Sequence, residues 1–378
     1  MIRRVKKSAL ATLLALTSFS FGLEVTDIAG RTVTLDPDHK VERILLGEGR
    51  YIQALALLEG DKPFDRIIGW QGDFKKLDPQ TYETYRAKFP EIDKVALIGN
   101  STPESVSSEK VLSLLPDVAI FGISGHGPGR DSGLVRYLED SEVPVIFVDF
   151  RSNPLENTVP SMRLIGQAIQ REKEAEAFID FYETELKRVT EITKAIPEEK
   201  KRSVFIELKA GTSDDCCGTA GNGNMGDFID LAGGKNISKP LLPAALGKVN
   251  LEKVIVSDPD VYIATGSILP NKGLAGIPFG MQTEPEASRK GLEEVLERVG
   301  IADLTAVKEK RAYALWHNYY NSPYNVLAIQ NIAKWLYPEE FEALDPADTL
   351  KRMHEEFLPV EAQGTFWIEL EEKSESNN

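Results

Sequence analysis

Ser107-Ser108-Glu109-Lys110-Val111-Leu112-Ser113-Leu114-Leu115-Pro116-Asp117-Val118-Ala119-Ile120 is echoed 143 residues later by Asn250-Leu251-Glu252-Lys253-Val254-Ile255-Val256-Ser257-Asp258-Pro259-Asp260-Val261-Tyr262-Ile263. Glu, Lys, Val, Pro, Asp, Val and Ile recur in one register. Each copy reads as a polar N-cap, a short helix, a Pro-Asp stop and a buried strand that runs to a glycine, Gly122 or Gly266. A Pro-Asp pair before an apolar run is common by itself, but the shared register predicts a duplicated lobe.

Outward from these units, short apolar runs at 43–46, 66–68, 145–150 and 203–208 alternate with helical stretches at 51–58, 133–141 and 324–335. The alternation predicts an α/β fold of two lobes with mainly parallel sheets covered by helices. Ligand loops are then expected beyond the carboxyl ends of the strands. Between the halves, Met162, Ile165, Ile169, Phe178, Tyr182, Leu186, Val189 and Ile196 keep mostly three- and four-residue steps. One long helix over about 159–196, with a break near Gly166 as the alternative, would brace the lobes where a Gly/Ser linker would let them wander. The expected organisation is a leader at 1–22, a first lobe at 23–152, a linking helix at 153–200 and a second lobe at 201–378 that ends in an acidic tail.

Arg3, Arg4, Lys6 and Lys7 precede a short apolar core at 9–16, and Ser20 and Gly22 are placed for cleavage before Leu23. The core is too short to span a bilayer, and no cysteine lies near the cut to carry a lipoprotein anchor. An interfacial anchor that stays attached is the other reading. Export to a periplasm as a soluble mature chain is the expectation. Loss of the four basic residues takes the formal charge from −15 to −19, which argues against nucleic acid as a partner because a basic footprint supplies most of that affinity. The only cysteines, Cys216 and Cys217, are adjacent, so neither a disulfide framework nor a CxxC motif is available. In an oxidising compartment they can join as a vicinal disulfide that stiffens a ligand loop; buried free thiols are the alternative.

The chain resembles the helix-hinged substrate-binding proteins of iron-siderophore, haem and cobalamin ABC importers. Residues carrying the resemblance are Val25-Thr26-Asp27-Ile28-Ala29-Gly30-Arg31-Thr32-Val33, the two Glu-to-Pro-Asp units, Ala232-Gly233-Gly234-Lys235-Asn236-Ile237 and Leu336-Tyr337-Pro338-Glu339-Glu340-Phe341. Each motif alone is weakly specific; their order and spacing carry the likeness. It implies two α/β lobes, one linking helix, a shallow cleft between the lobes and a monomeric receptor that is not an enzyme and holds no intrinsic cofactor. The expected ligand is an Fe(III) chelate, and the expected protein partner is an inner-membrane ABC permease. In that family a glutamate on each lobe pairs with permease arginines, and Glu109 and Glu252 match the pattern. A carboxylate in the first turn also suits the helix dipole without any docking role. The stretch at 73–91 and the acidic tail after Leu358 depart from the pattern.

For the ligand, the loops after the strands offer Arg50, Trp70, Arg130, Arg151, Trp316, His317 and Tyr319. Arginines beside aromatic rings suit an anionic, partly apolar chelate through charge-assisted hydrogen bonds and stacking. Ordinary surface charge and core packing are the plain alternatives for these residues. With four histidines in the chain, no protein-only metal site is expected, although His317, alone or with a tyrosine, is a candidate for an open position on a chelated metal. Haem or cobalamin is the alternative ligand. An exported α/β enzyme and a ligand sensor are the rivals from other classes; G-x-S-x-G, H-E-x-x-H and G-x-x-x-x-G-K-[ST] are all missing from the sequence.

Overall fold

The computed structural model describes residues 22–213, 216–267 and 276–370. All but the last residue of the expected leader, Asp214 and Asp215 beside the cysteines, and the end of the acidic tail lie outside these. The first lobe opens with a hairpin, β1 (Leu23–Thr26) and β2 (Thr32–Leu35). It continues through β3 (Ile44–Leu46), α1 (Ile52–Glu59), β4 (Ile67–Gln71), α2 (Asp73–Leu77), α3 (Pro79–Lys88), β5 (Ala96–Gly99), α4 (Ser108–Ser113), β6 (Val118–Gly122), α5 (Gly133–Asp140) and β7 (Val145–Val148). Two helices, α6 (Pro154–Ile169) and α7 (Glu172–Thr193), come next. The second lobe runs through β8 (Ser203–Glu207), β9 (Gly218–Ala220), α8 (Met225–Leu231), β10 (Lys235–Asn236), β11 (Leu246–Lys248), α9 (Leu251–Ser257), β12 (Val261–Gly266), β13 (Gly280–Met281), α10 (Pro285–Leu296), α11 (Thr305–Lys308), β14 (Ala312–Trp316), α12 (Asn325–Leu336), α13 (Pro346–Phe357), β15 (Gly364–Thr365) and β16 (Trp367–Glu369).

The first sheet has the order β5-β4-β3-β6-β7 and is parallel throughout; the second has the order β10-β8-β12-β14-β16, with β16 antiparallel at its edge. Alternation at period two builds a core on both faces of the first sheet. Ile44, Leu46, Ile120 and Val148 join the large core shared with α1 and α6, while Leu45, Ala119, Phe121 and Phe147 join the smaller one under α5.

The repeated units fold alike. The Ser107 hydroxyl and the Asn250 amide oxygen accept backbone N–H groups at the starts of α4 and α9. Before the repeated prolines, Leu115 and Asp258 both take positive φ (48° and 35°). The repeated aspartates then tie each lobe's first central strand to its neighbour. Asp117 Oδ2 accepts the amides of Glu42 and Arg43 ahead of β3 at 2.8 and 2.9 Å, and Asp260 Oδ2 accepts the Ser203 amide of β8 at 2.7 Å.

The connection departs from the single rod expected over 159–196. Gln170 turns left-handed (φ 58°) and ends α6, and α7 starts two residues later. The two helices fold onto each other: a Cβ on Gly166 would lie 2.5 Å from that of Ala175, and Arg163 pairs with Glu176 at 2.6 Å. A signal for the break sits in the sequence. The nine-residue step from Ile169 to Phe178 rotates the apolar stripe about half a turn off its face. The 22-residue α7 then spans roughly 33 Å and fastens to the second lobe. Tyr182 donates to Asn325 at 2.8 Å, and buried Glu185 accepts from Gln330, Thr349 and Arg352. The 73–91 stretch, folded as α2 and α3, makes a second bridge, with Gln282 donating to Thr84 at 3.0 Å and Lys88 donating to the Pro359 carbonyl. Among the described residues no helix is long and apolar enough to cross a membrane.

Candidate functional site

The carboxyl ends of the two sheets face each other, and the loops beyond them meet in a buried polar cluster. In Gly47-Glu48-Gly49-Arg50 the chain leaves β3 and turns into α1. A Cβ on Gly49 would lie 2.6 Å from the Gln71 carbonyl, so glycine permits this close crossing of β4. Glu48 and Asp73 have side chains 0% exposed, and that of Arg50 is 1% exposed. Arg50 donates Nε to Asp73 Oδ2 at 3.0 Å, Nη2 to Glu48 Oε2 at 3.3 Å and Nη1 across the cleft to Tyr320 OH at 3.1 Å. Arg151, three residues past β7, donates Nη2 to the same Glu48 oxygen at 3.0 Å. Glu48 Oε1 accepts the His126 amide at 2.9 Å, and Asp73 Oδ1 accepts the Gly49 amide at 2.6 Å.

Burial alone would push the Glu48 carboxyl up. The Arg151 and Arg50 guanidiniums, with the His126 amide, outweigh it and hold the group below its usual range. Burial does win at Asp73, which is raised despite Arg50. From the second lobe come His317 and Tyr320, after β14, and Thr265 of β12. The Tyr320 ring lies 5.2 Å from the Arg151 guanidinium carbon, 5.8 Å from that of Arg50 and 4.8 Å from the His317 ring. Burial raises its phenol, but Arg50 and Arg151 bring it below the ordinary tyrosine value. His317 is pushed well down by burial and by Lys209, Arg50 and Arg151, which keeps its imidazole neutral with Nδ1 2.9 Å from Thr265 Oγ1.

Of the residues expected from sequence to touch ligand, Arg50, Arg151 and His317 converge here. Trp70 packs edge-on against Phe64 and Phe74 in the first lobe. Trp316 and Tyr319 pack edge-on against each other in the second, 1% and 0% exposed. All three were expected to face ligand; the parallel sheets, covered on both faces, absorb these rings into the core instead. Arg130 stands apart, its side chain 61% exposed and paired with Asp131. Glu48, Asp73, Thr265 and Tyr320 are the members that residue patterns did not single out. Two glycines flanking Glu48 and the isolated Asp73 were the available signals, but nothing in sequence places them against arginines from other loops.

Cys216 and Cys217 are joined by a disulfide, beside Glu207 at the end of β8. Among the described residues, Glu207, Cys216 and Cys217 are the one group of histidine, cysteine or acidic side chains close enough to share a metal ion. Glu207 is already held by Arg298 at 2.6 and 2.9 Å and by Tyr262 at 2.5 Å. In the cleft itself, the Tyr320 oxygen and a His317 nitrogen are donors suited to a metal that arrives with its own ligands. Glu109 and Glu252 both lie exposed in the first turns of α4 and α9.

The family profile described as "Periplasmic binding protein" matches residues 76–319. An uncharacterized ABC transporter substrate-binding lipoprotein of Bacillus subtilis, YvrC, is 23% identical over 327 residues, covering 85% of this chain and 88% of that one. The crystal structure of a TroA-like periplasmic binding protein, FepB from Veillonella parvula, superposes with a TM-score of 0.83 at 25% identity, over 92% of this chain and 99% of its own. The molybdate periplasmic binding protein MolA of Haemophilus influenzae shares the fold, with a TM-score of 0.68 at 18% identity over 90% and 99% of the two chains.

Proposed function

The chain belongs to the periplasmic binding protein family, and on that footing we propose that its cargo is a metal chelate, a ferric siderophore above all, captured between the lobes and handed to an inner-membrane permease. Its role as the substrate-binding component of an ABC importer places it outside the cytoplasm and gives it a small-molecule ligand and a permease partner. The observation that carries the iron reading is Tyr320. A phenol held below its usual pKa by two guanidiniums, next to a neutral imidazole, offers an oxygen and a nitrogen to a hard or borderline metal. Among the described residues too few donors lie there to cage a bare ion, so in this reading the remaining coordination comes with the cargo.

Docking through Glu109 and Glu252 is supported by their placement. Each sits exposed in the first turn of a short capped helix, one in each lobe. Two exposed carboxylates on lobes braced by α6 and α7 fix the orientation of the receptor on a basic partner. In this reading the protein acts as a monomer.

Tryptophan fluorescence tests the cargo. Trp316 directly precedes His317, so chelate binding should quench emission saturably at submicromolar concentration, and Tyr320→Phe should weaken it. No saturable change with ferric siderophores, haem or cobalamin would overturn the reading. Reversal of both charges, E109R with E252R, should abolish uptake while chelate binding in solution stays intact; undiminished uptake rules out their docking role.

A further inference from the structure

Just past β8 the chain makes a turn on which the second lobe's side of the cleft depends. Lys209 takes a left-handed φ of 50°, a conformation that residues other than glycine adopt at a cost and keep where neighbours hold it. Those neighbours are on hand. The Lys209 amide donates to Thr265 Oγ1 at 2.8 Å, the Ala210 amide donates to the Thr265 carbonyl at 3.0 Å, and the Lys209 carbonyl accepts the Thr212 hydroxyl at 2.7 Å. The same Thr265 oxygen lies 2.9 Å from Nδ1 of His317. A hydroxyl oxygen pinned by one amide fixes where the imidazole on its other side can sit, and Nε2 is then the nitrogen left to a cargo. Lys209 also acts on His317 through its charge, which adds to burial in holding the ring neutral.

The disulfide closes the far end of the same loop. The chain leaves β8 at Glu207 and enters β9 at Gly218, and the two ends are bonded to each other, with the Leu208 amide donating to the Gly218 carbonyl at 2.7 Å. Cys217, the residue before Gly218, is 0% exposed, and its carbonyl accepts the Val249 amide at 3.1 Å. A bond between adjacent cysteines closes a small ring through the peptide that joins them. It removes from that pair the backbone freedom that ordering the loop would otherwise have to overcome. With free thiols at 216 and 217, the Leu208–Gly218 closure would rest on hydrogen bonds alone. The sulfurs thus stand one link from Leu208, and Leu208 directly precedes the Lys209 turn.

We infer that the Cys216–Cys217 disulfide is a positioning element of the cargo site: it holds the Lys209 turn in place and, through the Lys209 amide and Thr265, holds the His317 imidazole beside Tyr320. Cargo affinity is then tied to the oxidation state of a bond that the cargo does not have to touch. Groups that orient a metal-contacting histidine from behind are worth about 10–100-fold in affinity. The inference deepens the metal-chelate reading above and rests on it for the part His317 plays toward the cargo.

Nitrogen NMR of the cargo-free protein, labelled at its four histidines, tests the link apart from any chelate. His317→Gln assigns the signals of interest. In the oxidised parent the His317 nitrogens should report one neutral form that does not titrate between about pH 5 and 8. Cys216→Ser with Cys217→Ser, phosphine reduction of the parent, and Thr265→Val should each move those nitrogens while the His126 and His354 signals stay in place, which a general loss of structure would not allow. Fluorescence titration then uses a ferric trishydroxamate and a ferric triscatecholate. Affinity for whichever complex the parent binds should fall at least about tenfold in all three cases, and reoxidation of the reduced parent should restore it. Should the double serine variant fail to fold, the reduced parent, with its two thiols counted, decides in its place. His317 signals that stay put, or that move with no loss of affinity, overturn the positioning role and leave the transport reading standing. Shifted signals in a protein that binds neither complex overturn the chelate reading instead, while the link from the disulfide to His317 stands.

Discussion

Asp117 in the first lobe and Asp260 in the second hold the same kind of backbone link beside the same kind of short capped helix, and β6 lies between β3 and β7 as β12 lies between β8 and β14. Beyond the strand ends the lobes diverge. The first concentrates its buried charge in the cleft, where Glu48, Arg50, Asp73 and Arg151 come together. The second keeps its charged trio, Glu207, Arg298 and the Tyr262 phenol, beside the disulfide and brings the Tyr320 phenol and the His317 imidazole up against the first lobe's arginines. One lobe therefore supplies a paired set of buried charges, and the other supplies a phenol and a neutral imidazole against it. The repeated motif carries the links that hold each sheet together, while the loops past the strand ends differ, because such loops can change without disturbing the register behind them.

The sharpest test of this contrast sets Glu48→Ala against Glu207→Ala. Glu48→Ala strands two guanidiniums, one of them fully buried, and should cost about 3–5 kcal/mol in urea unfolding. In the Glu207 variant, Arg298 is left, its side chain 23% exposed, and partial solvation should limit the loss to about 2 kcal/mol. Equal losses would erase this distinction between the buried charges of the two lobes.

The seam between lobes should also show in the pH dependence of stability. Asp78 sits at the head of α3, hydrogen-bonded to Gln53 at 3.0 Å, and burial raises its carboxyl from the ordinary 3.8 to about 6. The folded chain holds this proton more tightly than the unfolded one. Its stabilising contribution is thus full below about pH 3.8 and is lost as pH rises through about 6, for a total of about 3 kcal/mol. Asp78→Asn should remove that decline, so the difference in unfolding free energy between variant and parent should grow over this window. A constant difference from pH 3.5 to 7 would show that Asp78 is not buried as an acid.

Smaller and more symmetrical are the effects expected at the repeated aspartates. Asp117→Ala and Asp260→Ala should each cost about 1 kcal/mol, and the two losses should add, since they act in separate lobes. A large effect at one and none at the other would mean that the shared motif no longer does shared work. Least costly should be Thr84→Ala, which removes one exposed bond of the α3 bridge, with an expected change within about 0.5 kcal/mol. A loss of several kcal/mol there would make the inserted helices, and not α7, the principal tie between lobes.

Much of this architecture was legible along the chain. The seven matching positions announced two lobes, and the Pro-Asp stops located β6 and β12, because caps, helix periods and strand runs are local properties that a short stretch of sequence carries by itself. The linking helix was legible only in part. The stripe of apolar residues survives across 159–196, but the phase slip after Ile169 becomes meaningful once Gly166 is seen against Ala175. Among the candidate ligand residues, Arg50, Arg151 and His317 reached the site, while Trp70, Trp316 and Tyr319 went to the core and Arg130 to the surface, since a residue type in a loop does not reveal which way the loop turns.

What the sequence determined by itself is the pair of α/β lobes, their order and the strand ends whose loops were candidates for a site. What only the tertiary structure decided is the character of that place: Arg50 meets Tyr320 across 270 positions, and Glu48 meets Arg151 across 103. The physical reason is that the charge of a buried site is a sum over neighbours in space. Two arginines read in sequence count as two positive charges; two arginines folded against Glu48 and Asp73 count as none.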